Sequence, residues 1–427
     1  MREWCKFNID NLEEFKNKAL QWAGTFNHFT LFNNNELTNP NSPFINMLAI
    51  GASKTPQFDG RNDFSTLKNY CNTNNDWLVG YLGYDLKNQI EFLESNNKEI
   101  ISFPDIYFYT PQHILLFHNT TVEIQSYNEP QSIYDEIISF TPIEGNIYNS
   151  KHTNLKEEIS HKEYIDSVEK LRQHIIDGDI YEANFCMGFN TIIPQLNTFQ
   201  LYQNLIEKSP TPFSVYQKIN NNYLLCASPE RFIKKEGKKL ISQPIKGTIK
   251  RGGSIEDDKV QAQLLRNSEK EQAENMMIVD LVRNDLARSC KAGSVKVEEM
   301  FGIYPFKHMY QMISTVSGEL RDDFHFIDAI KNAFPMGSMT GTPKIKAMEL
   351  IEKYEKTKRG LFAGAVGYIS PNQDFDFNVV IRSIFYDRNT SQVSFQAGSA
   401  ITYDSDPEQE YNECMLKVKA IKEVLEI

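Results

Sequence analysis

Two stretches of the sequence carry glutamates three residues apart in a helical context: Glu271 and Glu274 in EKEQAENMMIVD, and Glu410 and Glu413 in PEQEYNECMLKV. Residues at that spacing share a helix face, so each pair projects two carboxylates in nearly one direction. If the two helices face each other, four hard oxygen donors converge, and with no His or Cys beside them they suit Mg²⁺. Glutamate-rich helix faces are more often simply solvated. Here the adjoining apolar run Met276-Met277-Ile278-Val279 points to a buried helix. Lys246, in QPIKGT, sits at the end of an apolar strand and before a glycine that lets a ligand approach the backbone. It could hold an anion as a point charge or, desolvated and with its pKa lowered, act as an amine nucleophile. An edge-strand lysine pointing to water is the plainer alternative. In SPERF, Glu230 beside Arg231 is a structural ion pair if read alone and a general-acid candidate if it lies in a cleft. Arg382, in VVIRS, is expected mid-strand among apolar neighbours, where a buried guanidinium wants an anion such as a bidentate carboxylate. QAGSA (396–400) after a strand and Gly341-Thr342 before a helix are small-residue turns whose free N–H groups could hold a carboxylate. Together these groups describe a pocket for a small polycarboxylate. Neither a phosphate-binding loop nor a dinucleotide fingerprint accompanies them.

The elements that must position these groups are legible in outline. Over 162–177 the apolar residues recur with helical spacing, closed by Gly178. Strands are expected at 183–189, 223–228 and 240–249, followed by a long helical segment from Ser254, a plausible N-cap, to Ser289 with one break. Thr342-Pro343-Lys344 opens a helix with a hydroxyl cap, and Lys356, Lys358, Arg359 and Gly360 close it. Strands at 362–370, 377–386 and 392–396 lead to a last helix starting at Ser405-Asp406-Pro407-Glu408. Upstream, the first 140 residues alternate apolar runs at 77–85, 106–109 and 114–117 with turn signals, reading as sheet strands in an α/β setting. A polar stretch at 141–160 is the best linker, dividing an N-terminal region 1–150 from a catalytic region 151–427.

Composition narrows the classes. The 427 residues give a prior of two or three domains or one composite domain. The net charge of −11, with no collected basic face, argues against nucleic acid. The longest cationic cluster, Lys234 to Lys239, straddles Gly237 and reads as a hairpin turn. No apolar run reaches the roughly 18–20 residues needed to cross a bilayer, and the N-terminus lacks an apolar signal core, so no membrane partner and a cytoplasmic location are expected. Six scattered cysteines without a CxxC pair read as buried free thiols in a reducing compartment.

The motifs GDIYEANF, ASPERF, QPIKGT, AENMMIVDLVRNDLAR, MTGTPKIKAMELIE, GAVGYI, VVIRS, QAGSAI and DPEQEYNEC, in this order, resemble the chorismate-utilising enzymes. The match runs from about residue 175 to the C-terminus, and more loosely through GYLGYD and PDIYFYTPQHILLF upstream. The resemblance implies two packed, mainly antiparallel sheets with outer helices, an α/β (α+β) fold. A lysine before Gly247-Thr248 resembles the branch that makes 4-amino-4-deoxychorismate for 4-aminobenzoate and folate, whereas the anthranilate-forming branch typically has alanine there. By resemblance, Lys246 attacks C2 of the chorismate ring as the C4 hydroxyl departs, and ammonia then adds at C4 and expels the lysine. Glu230 is the acid/base, Glu274 and Glu413 bind Mg²⁺ with Glu271 and Glu410 in or near the shell, and Gly247, Thr248, Arg382, Gly398 and Ser399 contact substrate. Two positions depart from the family pattern. Glu182 stands where glutamine is common, or a lysine base in enzymes that add water, and must be protonated, paired with a cation or turned away. Gln311 takes the position of a catalytic histidine; it can donate a hydrogen bond but cannot deliver a proton. These departures motivate a non-catalytic chorismate-binding subunit as an alternative, beside the anthranilate-forming one. No cysteine lies in a GxCxG-like elbow, so ammonia is expected from a separate glutamine amidotransferase subunit. The chain ends soon after Glu413, so no fused lyase is expected.

Overall fold

The computed structural model describes residues 2–37, 42–141 and 154–426. Every strand ladder among them is antiparallel. One sheet runs in the order Glu3–Asn8, Thr121–Ser126, Ile106–Phe117, Met47–Lys54, His28–Asn33, Phe213–Ile219, Asn222–Ser228, Ser383–Asp387, Gln392–Ile401 and Glu182–Ile192. The other runs from the start of Ile106–Phe117 through Leu78–Leu82, Ala365–Ile369, Phe375–Asn378, Arg231–Glu236 and Lys239–Gln243 to Met309–Glu319, which also carries Ile245–Lys250 and Lys296–Pro305. The apolar runs expected at 106–109 and 114–117 are therefore one strand. It leaves the second sheet at Tyr109 and enters the first at Thr110, joining the two.

Alternation along the strands builds two cores. On the strand Met47–Lys54, Met47 and Ala49 pack into the core that includes the second sheet, whereas Leu48 and Ile50 pack under the outer helices Leu12–Ala23, Pro130–Ser139, His161–Ile176, Thr198–Lys208 and Pro407–Leu425. Glu269–Ala287 and Phe326–Ala333 pack on the second-sheet side, burying Ile278, Val279, Ile327 and Ile330. Residues before 141 supply a contiguous half of the first sheet and the strand Leu78–Leu82 of the second. His28–Asn33 pairs directly with Phe213–Ile219. Most of the expected linker and the 150/151 boundary lie outside the described residues. No described helix is long and apolar enough to cross a membrane.

Several expectations of detail change. The strand at 240–249 is broken at Pro244 into Lys239–Gln243 and Ile245–Lys250, because proline cannot donate to the ladder. The strand at 377–386 is interrupted over 379–382, so Arg382 is not mid-strand: it occupies a bend with φ 51°. QAGSA lies inside the strand Gln392–Ile401, paired with Glu182–Ile192 from end to end. Gly341–Thr342 is likewise a two-residue strand, against Ala183 and Glu182. The Thr342 hydroxyl makes no cap, and the helix that follows, Lys344–Tyr354, ends before the cations expected to close it. The helical segment from Ser254 does split once: Ile255–Arg266 is capped by Ser254, and Glu269–Ala287 by Ser268. All six cysteines are free; five are buried and Cys5 is exposed.

Candidate active site

Glu182 and Lys246, near the starts of their strands, come together with Glu274 on the helix Glu269–Ala287, and Thr342 pairs with Glu182 across the ladder. Lys246 Nζ donates to Glu182 Oε1 at 2.7 Å and lies 3.7 Å from Glu274 Oε2. Its backbone is fixed by Asn275 Nδ2, which donates to Lys246 O at 3.1 Å while Ser314 Oγ donates to Asn275 Oδ1 at 2.6 Å. Gly247, at φ 101°, is required here, since a Cβ would stand 3.0 Å from Glu271 Oε2. The lowered pKa under which Lys246 could act as an amine nucleophile is not found in the free chain. Burial works against its charge, but Glu182, Glu274 and Glu271 outweigh burial and hold the ammonium above its ordinary value. Of the three fates open to Glu182, pairing with a cation is the one adopted. Its side chain is 2% exposed and its Oε2 has no partner.

The two glutamate-bearing helices face each other electrostatically. Burial raises the Glu271 and Glu274 carboxyls, Glu413 adds repulsion to Glu271, and Glu182 and Glu271 add repulsion to Glu274. Burial also opposes the charge of Glu413, but Lys417, 2.8 Å away, with Lys246 and Lys270 holds it below the usual carboxylate range. The expected four-carboxylate convergence is not formed. Glu410 instead accepts from Ser405 Oγ at 2.7 Å at the start of its own helix. Among the described residues no three His, Cys, Asp or Glu groups stand close enough to share one ion. What remains is an all-oxygen, partly desolvated set of mutually repelling carboxylates, Glu271, Glu274 and Glu413. Its chemistry fits a hard dication that takes one or two protein carboxylates and keeps waters.

Glu230 and Arg231 are neighbours with different partners. Arg231 pairs with Asp376, so the Glu230–Arg231 ion pair is not made. Glu230 is 5% exposed, and burial pushes its carboxyl up to about 7 against the pull of the Ser338 hydroxyl, the Ile245 backbone, Lys246 and Arg382. Burial lowers Arg382 to about 10 against the attraction of Glu230. Among the described residues no carboxylate lies within ion-pair distance of its guanidinium, whose Nη2 contacts Met309 Sδ at 3.5 Å. The same thioether receives Gln311 Nε2 at 3.7 Å, and Gln311 Oε1 is buried without a partner. Gln311 lies directly across the ladder from Thr248. Strong donors resting on a weak acceptor are what a site for substrate oxygens requires.

On the remaining wall, the ladder from Ser383–Asp387 stops at Ser394, so the Gln392–Ile401 strand has no strand partner on that edge at Gly398 and Ser399. A Cβ at Gly398 would stand 2.2 Å from Phe185 O. Ser399 Oγ is 3.4 Å from Tyr164 OH. Sequence reasoning missed Lys417, Met309 and Ser338 here, and marked Thr342 for its backbone and as a cap, not for its free hydroxyl. Lys417 Nζ donates to Gly398 O at 2.8 Å and pairs with Glu413; its position four residues on, along one helix face, was the available signal. Met309 carried none. Ser338 Oγ, which faces the Glu230 carboxyl without closing a hydrogen bond to it, and Thr342 Oγ1 are buried without a hydrogen-bond partner. Of nine such side-chain atoms among the described residues, four (Glu182 Oε2, Gln311 Oε1, Ser338 Oγ, Thr342 Oγ1) belong to this site, a concentration that marks it as built for a polar ligand. Behind it, the buried pair Arg359–Glu355 (2.7 Å) ties the 338–342 segment to the Glu182 strand. Arg359 donates to Met339 O and Asn184 O, and Glu355 Oε1 accepts from Cys186 N.

A family model described as chorismate binding enzyme matches residues 16–423. The aminodeoxychorismate synthase component 1 of Bacillus subtilis (strain 168) is 32% identical over 365 residues, 82% of this chain and 77% of that protein. The anthranilate synthase component 1 of Aquifex aeolicus (strain VF5) is 32% identical over 370 residues, covering 82% and 74%. In structure, anthranilate synthase component I from Streptococcus pneumoniae TIGR4 superimposes with a TM-score of 0.79 at 24% identity, covering 90% of this chain and 93% of that one. That likeness establishes the fold.

Proposed function

The chain belongs to the chorismate-binding enzymes, and we propose that it acts as an aminodeoxychorismate synthase component 1, making 4-amino-4-deoxychorismate from chorismate and ammonia for 4-aminobenzoate and folate biosynthesis. The observation that carries this reading over the anthranilate-forming one is Lys246. A primary amine is held 2.7 Å from Glu182 among the carboxylates, immediately before Gly247 and Thr248.

In this reading the Lys246 ammonium first gives up a proton, for which Glu182 Oε1 is the nearest acceptor. The amine then forms a bond to C2 of the ring, the double bond shifts, and the C4–O bond breaks. Glu230, raised to about 7 and so partly protonated near neutrality, gives its proton to the departing hydroxyl, which leaves as water. Gln311 can donate a hydrogen bond to the same oxygen. Ammonia adds at C4, the double bond returns and lysine is expelled. Arg382, without a carboxylate of its own, takes one from the substrate, and Thr248, Gly398 and Ser399 line the ring. Glu274 and Glu413 would hold Mg²⁺, with Glu271 beside them and waters completing the shell, and the ion would neutralise the ring carboxylate when bound. Glu410, engaged with Ser405, is left out of that set.

Ammonia comes from a separate glutamine amidotransferase subunit in this proposal. Burial raises the thiols of Cys71, Cys186, Cys226, Cys290 and Cys414, which suits structural thiols and not a glutaminase nucleophile. The reaction is placed in the cytoplasm, where such thiols stay reduced.

The test is the intact mass of the chain quenched after mixing with chorismate in the absence of ammonia. A species heavier by chorismate less one water, mapped to Lys246 and missing in Lys246→Ala, is expected. Turnover with added ammonium that is undiminished in Lys246→Ala would overturn the nucleophile assignment.

A further inference from the structure

We propose that Lys246 has a second role as the internal cation of the carboxylate cluster: it balances Glu182 and Glu274 before a dication arrives, and a dication on Glu274 displaces it onto Glu182 alone. The inference rests on the proposed function only in taking Glu274 and Glu413, with Glu271 beside them, as the groups that hold a divalent cation.

The geometry supports the exchange. Four carboxylates share this corner, Glu182, Glu271, Glu274 and Glu413, and the cations facing them are unequal. Lys417 is tied to Glu413 and to Gly398 O, and is 49% exposed. Lys270 is 61% exposed and lies 3.9 Å from Glu274. Lys246 is 14% exposed, so its charge acts with the least screening. It is also held asymmetrically. At 2.7 Å the contact to Glu182 is a charge-assisted hydrogen bond, whereas 3.7 Å to Glu274 is an ion contact without one. The weaker hold is on the carboxylate a metal needs. Glu182 itself cannot retreat, because its strand is paired with Gln392–Ile401 on one edge and with Gly341–Thr342 on the other. Its Oε2 is buried and free to accept, so the ammonium has a second acceptor waiting when it leaves Glu274. Dication binding therefore leaves Lys246 with a single carboxylate partner, loosened toward the substrate side of the site.

The experiment is Mn²⁺ binding to the full chain without chorismate, read by the loss of the free-ion paramagnetic resonance signal, in parallel with Mg²⁺ calorimetry. Lys246→Met removes the internal cation and is expected to tighten binding at least about tenfold, the direction Coulomb's law requires for a like charge removed at this range. Lys246→Arg, which keeps the charge, should stay within about threefold of the parent. Glu182→Gln should weaken binding severalfold, because the ammonium then has Glu274 as its nearest acceptor. Should Lys246→Met fail to fold, Lys246→Gln makes the same measurement. Unchanged or weaker binding in the neutral variants overturns the inference and leaves the proposed function standing. Unchanged binding in Glu182→Gln overturns the displacement onto Glu182. A parent chain that binds no Mn²⁺ at millimolar concentration overturns the metal assignment and the inference together, while product analysis still decides the reaction.

Discussion

Arg231 is a fully buried guanidinium and Arg382 a half-buried one, and their surroundings differ. Arg231 is fully buried, and two of its nitrogens meet the two oxygens of Asp376 at 2.8 and 2.9 Å, with Gln243 and Ser42 O taking further donors. Arg359 is treated likewise by Glu355, Met339 O and Asn184 O. Arg382 has a thioether and no carboxylate. The contrast extends to the carboxylates. Glu355 and Asp376 are each bound by a guanidinium, whereas Glu182 keeps an idle oxygen and Glu230 is raised to about 7. Where a buried charge serves the fold the chain supplies its partner; where we propose the substrate as the partner, the place is left open. The second arrangement costs stability, and that cost is measurable.

The largest effect that would test this contrast is on Arg231. Arg231→Met leaves Asp376 buried and alone, and should lower unfolding free energy by about 3–5 kcal/mol in urea titration. A loss under 1 kcal/mol would erase the distinction between the two regions. Glu230→Gln should have the opposite sign. A carboxyl raised from its ordinary value near 4.5 to about 7 in the folded state binds its proton more tightly there, so the wild type loses stability as pH rises through that window. The penalty is absent below about pH 4.5 and complete above about pH 7. The variant should thus gain on the wild type across that range, reaching about 3 kcal/mol on the alkaline side, while turnover falls by about 10²-fold or more. Parallel melting curves at pH 5 and pH 8 check it. Arg382→Met should weaken chorismate binding by about tenfold or more, worth about 1.4 kcal/mol, with stability unchanged or improved. Calorimetry beside a melting curve separates the two. Thr342→Val, which swaps an unpartnered buried hydroxyl for a methyl, should leave the protein as stable or up to about 1 kcal/mol more stable.

What the sequence disclosed and what it withheld divides along a similar line. Local chemistry was readable. The Ser254 cap, the break in the following helical segment, the Asp406-Pro407 helix start and the His161–Ile176 helix all follow from cap, proline and periodicity signals. Strand limits were less so, because a ladder's length depends on the neighbour. QAGSA reads as a turn until the strand Glu182–Ile192, far away in sequence, is laid beside it. The residue types of the proposed site were marked by motif, but their states were not. Lys246 is charged, and not depressed, because Glu182, 64 residues away in sequence, lands on it. Glu410 turns away from the other glutamates because Ser405, five residues before it, donates to its carboxylate. Met309 and Ser338 had no signal, and Thr342 was marked as a turn and a cap and not as an unpartnered hydroxyl, since an orphaned hydroxyl or a placeholder thioether is defined only by what surrounds it.

The central claim is that the chain aminates chorismate at C4. Purified chain incubated with chorismate, Mg²⁺ and an ammonium salt at alkaline pH, then treated with a purified aminodeoxychorismate lyase, is predicted to yield 4-aminobenzoate only after the lyase is added. Anthranilate and pyruvate formed before that addition would contradict the account, as would unchanged chorismate with binding still detectable by calorimetry.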